Sequence, residues 1–159
     1  MTDIKSLQDH LLYLLRGGGA HLNFENLIAD FPPAIINGKI EGVPYTPWQL
    51  LEHLRIAQRD IVRFSIDANH VSPEFPAGYW PAPDTVADNQ MWNDTVVAFQ
   101  ADLKEMENLV ADQLTDLFAE LQHGDGQTIL REALLIADHN AYHLGAMVLM
   151  KRVLNREEK

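Results

Sequence analysis

Between Ile129 and Met150 the chain carries charge only at Arg131, Glu132 and Asp138. Drawn on a helical wheel, this stretch has two opposed apolar sides. One holds Leu130, Leu134, Ala137, Ala141, Leu144 and Val148. The other holds Ile129, Ile136, Met147 and Met150, with Glu132, His139 and His143 among them. A helix that is apolar on nearly every side is expected to be buried on nearly every side. The segment, running from about Thr128 to Leu154, is therefore expected to be the central helix of a bundle or to be covered by a second copy of the chain. The second possibility points to a homodimer.

Three other segments share the helical period. Residues 4 to 16 place Ile4, Leu7, Leu11, Leu14 and Leu15 on one stripe. The run Gly17-Gly18-Gly19 then breaks the helix or lets two backbones approach, because each glycine costs a helix interior about 1 kcal/mol. A short piece from Asn23 to Asp30 follows, with Asn23 placed to cap it. Thr46-Pro47-Trp48-Gln49 is a capping box with proline at the first helical position, and it opens a helix reaching about Asn69. Leu50, Leu54, Ala57, Ile61 and Phe64 form its core stripe, and His53 lies just off the edge. A proline-rich loop separates it from a helix spanning about Asp88 to Asp112. Nothing reads as a strand. The expected fold is all-α: a four-helix bundle with long crossover loops.

A chain of 159 residues suits one domain, 1–159, with a full-sized core. Its net charge of -11 repels phosphates and anionic headgroups, so nucleic acid and membrane surfaces are not expected partners. There is no cysteine, hence no disulfide framework and no thiolate of the chain's own. The first residues lack the basic-then-apolar layout of a secretory signal, and no run is long and apolar enough to span a bilayer. A cytoplasmic protein acting on a small molecule fits these features.

The histidines carry the chemical signal. His139 and His143 are four residues apart, so they share a helix face and can reach one metal ion. Such a pair also arises in cores whose imidazoles simply find hydrogen-bond partners. The zinc-protease motif does not apply, because Asn140 stands where its glutamate belongs. His53, held mid-helix beside a core stripe, is the best third ligand. Three histidines with an open fourth position suit a catalytic divalent site. Imidazole accepts zinc, nickel and iron alike. His10 and His70 read as surface residues, and His21 and His123, beside glycines, either line a site mouth or are ordinary loop residues. Glu132 is either a distant site acid or a helix-start glutamate favoured by the dipole. Tyr79, Trp80 and Trp92 either wall a pocket or anchor loop and core.

The segments TPWQLLEHLRIAQRD and GDGQTILREALLIADHNAYHLGAMVLMKR, with LLRGGGAHLNFENLIADFPP and GYWP, resemble the DinB-like (DinB/YfiT-like) family of small four-helix metalloproteins over nearly the whole chain. The resemblance implies a metal triad at His53, His139 and His143, an up-down-down-up style bundle with a long crossover, and frequent dimerisation. It also implies relatives that are thiol-dependent transferases or isomerases using small cellular thiols. A divalent-metal enzyme, a transferase or hydrolase with thiol or water as nucleophile, is the resulting expectation. The competing readings are a non-catalytic metal-binding or stress-related dimer, and a purely structural bundle.

Overall fold

The computed structural model describes residues 2–157. Its helices are α1 (Thr2–Leu15), α2 (Phe24–Ala29), α3 (Pro47–Ile66), α4 (Asn89–Ala111) and α5 (Ile129–Glu157), with 3-10 turns at Pro33–Ile35 and Ala77–Tyr79. Among the described residues the only β pairing is an isolated bridge between Glu120 and Thr128. The all-α expectation holds. α3 packs against both α4 and α5, and α1 packs against the same two helices.

Local chemistry sets the helix ends. The Thr46 N–H donates to Gln49 Oε1 at 2.9 Å and the Gln49 N–H donates to Thr46 Oγ1 at 3.3 Å, the reciprocal capping box read from the sequence. Asn23 Oδ1 accepts from the Asn26 N–H at 3.0 Å, and Asp88 Oδ1 from the Met91 N–H at 2.8 Å. α3 stops at Ile66, short of Asn69, because Asp67 turns into extended backbone and its carboxylate accepts the Asn69 N–H. α5 instead continues past Leu154 to Glu157.

The glycine run breaks the chain through close approach. Gly17 adopts φ +69°, and a Cβ on Gly18 would lie 2.5 Å from the Tyr13 carbonyl oxygen.

The core has two apolar parts with a polar layer between them. Leu50, Leu51, Leu54, Phe99, Leu144 and Met147 belong to one part; Val62, Met106, Val110, Ile129 and Ile136 belong to the other. On α3 the residue between the two is Gln58, on α5 it is Asn140, and on α4 it is Asp102; all three are buried. Gln58 Nε2 donates to the Phe99 carbonyl at 2.6 Å, and Asn140 Nδ2 donates to Gln58 Oε1 at 2.9 Å. The carbonyl can only accept, so it fixes which way both amides point.

α5 is less enclosed than its composition implies. Leu134 is 43% exposed, Leu149 62% and Tyr142 75%. The side bearing Ile129, Glu132, Ile136, Met147 and Met150 is buried, whereas the side bearing Leu134 and Ala141 opens outward. α1, α3 and α4 all pack on α5, yet they leave Leu134, Tyr142 and Leu149 exposed.

Candidate metal centre

His53 sits in the second turn of α3, after the capping box that fixes where that helix begins. His139 and His143 sit in the middle of α5. The α3–α5 packing brings a ring nitrogen from each within 4.8 Å of the others. His53 is 8% exposed, and the other two are partly buried. The rings meet edge to face, with centroids 5.1 Å apart for His53–His139, 4.8 Å for His53–His143 and 4.6 Å for His139–His143.

Burial holds all three rings neutral. It pushes His139 down to about 4, helped by His53 alongside. It likewise pushes His143 down to about 4, helped by His139 and His53. Burial also lowers His53, and the Tyr79 carbonyl partly opposes that fall. Neutral imidazole is the ligating form.

The three rings differ in what holds them. His53 Nδ1 lies 2.8 Å from the Tyr79 carbonyl oxygen and must donate to it, which leaves the lone pair on Nε2. The indole of Trp80 lies flat on the same ring. The buried Nδ1 atoms of His139 and His143 have no protein partner. Each such atom costs about 1–3 kcal/mol unless something satisfies it. Three neutral imidazoles on two rigid helices, with orphaned ring nitrogens, fit a divalent cation.

The family model of the DinB superfamily matches residues 19–147. The chain belongs to the DinB superfamily. No curated protein and no solved structure matches it.

In this DinB superfamily chain the remaining candidates lie apart from the triad. Glu132, in the first turn of α5, is buried and ion-paired with Arg131, which fits the helix-start role. Glu52 pairs with Arg55 at 2.6 Å and accepts from Thr95 Oγ1 at 3.0 Å. Asp138 is exposed. His123 bonds the Phe64 carbonyl at 2.7 Å, and His10 and His21 are exposed. Trp92 is a core residue packed on Phe31. His70 corrects the surface assignment: it is partly buried, and its Nε2 lies 2.6 Å from Asp60 Oδ1.

Sequence reasoning missed Asp60 and the role of the Tyr79 main chain. The Tyr79 hydroxyl donates to Asp60 Oδ2 at 2.6 Å. Burial, reinforced by Asp60, pushes the Tyr79 phenol up to about 12, so it stays a donor. Asp60 follows His53 by seven residues, two turns along the same helix face, and that spacing was the available signal.

A cavity lies on the other side of α5. It measures about 830 Å³ and is lined by Leu15, Phe24, Phe99, Leu103, Ala141 and Leu144, among others. Arg16 and Lys104 stand at it, both pairing with Glu107. His21 stands in its lining, whereas His53, His139 and His143 take no part in it. No helix among the described residues is long and apolar enough to cross a membrane.

Proposed function

We propose that the chain is a divalent-metal-dependent enzyme, a transferase or hydrolase, with His53, His139 and His143 as the metal ligands. The observation that carries this reading is the meeting of three neutral imidazole nitrogens within 4.8 Å. Zinc or nickel, with iron as a further candidate, suits an all-imidazole donor set. Bound there, the cation supplies Lewis acidity, which makes water or a thiol a competent nucleophile at neutral pH. The chain has no cysteine, so a thiol nucleophile comes from a low-molecular-weight thiol that binds with the small-molecule substrate. Trp80 shields one face of His53, and the two α5 histidines meet that ring edge to face.

The same proposal takes residues 1–159 as one domain, working in the cytoplasm as a homodimer. Leu135, Tyr142 and Leu149, spaced seven residues apart on the outer side of α5 and all exposed, supply an apolar stripe for a second copy. Light scattering on the eluted protein tests the dimer.

Metal content of untagged protein tests the centre. One equivalent of divalent metal is expected in the wild type and almost none after combined replacement of His53, His139 and His143 by alanine. Equal content in both would sink the metal reading. Activity is then sought with small thiols and electrophilic substrates, and equal rates for the two proteins would remove catalysis from this site. A second reading, metal binding without catalysis, is favoured by one observation: the cavity of about 830 Å³ beside α5 lies away from His53, His139 and His143.

A further inference from the structure

The segment after α3 runs back along that helix and is stitched to it at three levels. At Asp60, one carboxylate oxygen pairs with His70 Nε2 and the other accepts from the Tyr79 hydroxyl, both at 2.6 Å. At His53, the Tyr79 carbonyl takes the Nδ1–H at 2.8 Å, and Trp80 stacks on the ring. At Gln49, the side-chain Nε2 donates to the Pro83 carbonyl at 2.9 Å. Asp60 and His53 are seven residues apart, about 10.5 Å along the axis at 1.5 Å per residue. Tyr79 spans that interval, with its hydroxyl at one end and its carbonyl at the other.

This arrangement answers a question the triad leaves open, namely what orients the one ligand that comes from a different helix. A lone imidazole on α3 can turn about its side-chain bonds and carry its proton on either nitrogen. A carbonyl acceptor on Nδ1 removes both freedoms, and a stacked indole closes one face. The carbonyl belongs to a segment whose own backbone bonds are short local turns, such as Gly78 N–H to the Glu74 carbonyl and Trp80 N–H to the Ala77 carbonyl, so side-chain anchors set where it lies on α3. Asp60 is the anchor that takes two of them at once.

We propose that Asp60 is a positioning residue for the metal centre: by holding Tyr79 and His70 it places the Tyr79 carbonyl and Trp80 on His53, which fixes the His53 proton on Nδ1 and presents Nε2 toward His139 and His143. The inference rests on the metal reading for its purpose, while the fixing of the His53 proton stands independently of it.

The experiment compares wild type, Asp60→Ala, Asp60→Asn and Tyr79→Phe in two measurements. The first is the 15N signature of the His53 ring in the metal-free protein, which distinguishes Nδ1–H from Nε2–H. The second is titration with cobalt(II), read from its visible bands. Wild type is expected to show Nδ1–H. Asp60→Ala and Tyr79→Phe are expected to show a mixture of tautomers and to bind cobalt(II) about 10–100-fold more weakly, the usual cost of losing an outer partner of a ligating histidine. Asparagine keeps an acceptor for Tyr79 and a partner for His70, so Asp60→Asn is expected to bind within about threefold of wild type. Wild-type tautomer and wild-type affinity in both Asp60→Ala and Tyr79→Phe would overturn the inference. A loss in Asp60→Asn as large as in Asp60→Ala would overturn it too, since charge and not anchoring would then be the cause. If wild type itself takes no cobalt(II), the metal reading fails, and the tautomer comparison still decides whether Asp60 sets His53.

Discussion

The ring of His53 and the indole of Trp80 lie parallel, 4.0 Å between centroids and 4° between planes, and the phenol ring of Tyr45 stacks on the same indole at 5.1 Å. An aromatic contact of this kind contributes about 0.5–1.5 kcal/mol beyond the area it buries. Trp80→Ala is therefore expected to weaken metal binding about 2–10-fold, and Trp80→Phe to restore most of the loss. Titration calorimetry checks the order. Undiminished affinity in Trp80→Ala would show that the indole covers the ring without holding it.

Acid is expected to destabilise the metal-free protein as pH falls from about 6.5 toward 4. His139 and His143 fall from an ordinary value of 6.5 to about 4 on folding, so the unfolded chain binds more protons between those values. Stability contributed by the neutral rings is complete above about pH 6.5 and is lost as pH falls toward 4. Denaturation midpoints across this range are expected to drop with pH in wild type and to drop less after replacement of both histidines by glutamine. Parallel curves for the two proteins would contradict the burial of the rings.

Gln58 bridges the Phe99 carbonyl of α4 and the Asn140 side chain of α5. Gln58→Leu strands the buried Asn140 Nδ2 and removes a bond to the Phe99 carbonyl, and is expected to cost about 1–3 kcal/mol. Adding Asn140→Leu removes one stranded group, so the double variant is expected to lose less than the sum of the single losses. Chemical denaturation of the metal-free proteins measures both, and strict additivity would mean that the two amides are not coupled.

Two glycines are expected to respond to alanine with opposite sign. A Cβ at Gly18 meets the Tyr13 carbonyl and ring at 2.5–2.6 Å, so Gly18→Ala is expected to destabilise by about 1–3 kcal/mol. A Cβ at Gly145 meets nothing within 4 Å on α5, so Gly145→Ala is expected to stabilise the helix by about 0.5–1 kcal/mol. Thermal melts check both. A destabilising Gly145→Ala would indicate that something packs on that face in solution.

Much of the secondary structure was legible because its causes are local. The Thr46–Gln49 box, the Asn23 cap and the glycine break depend on residues within a few positions of one another. The His139–His143 pair was legible for the same reason, since helix geometry alone puts i and i+4 on one face. His53 was reachable because it flanks a core stripe. The exposure of Leu134 and Tyr142 was not legible, because a helix wheel shows which sides are apolar and not how many neighbours arrive to cover them. His70 read as a surface residue because its partner, Asp60, lies on a helix that the loop returns to.

By itself, then, the sequence determined the helices, their start signals and which side chains share a face, because each follows from short-range geometry and capping chemistry. The tertiary structure decided that α3 meets α5 with three imidazoles in contact, that Gln58 and Asn140 close a polar layer, and that Tyr79 reaches back from Asp60 to His53. Those are contacts between residues far apart in the chain, and only the packing of whole helices and the return path of a loop brings them together.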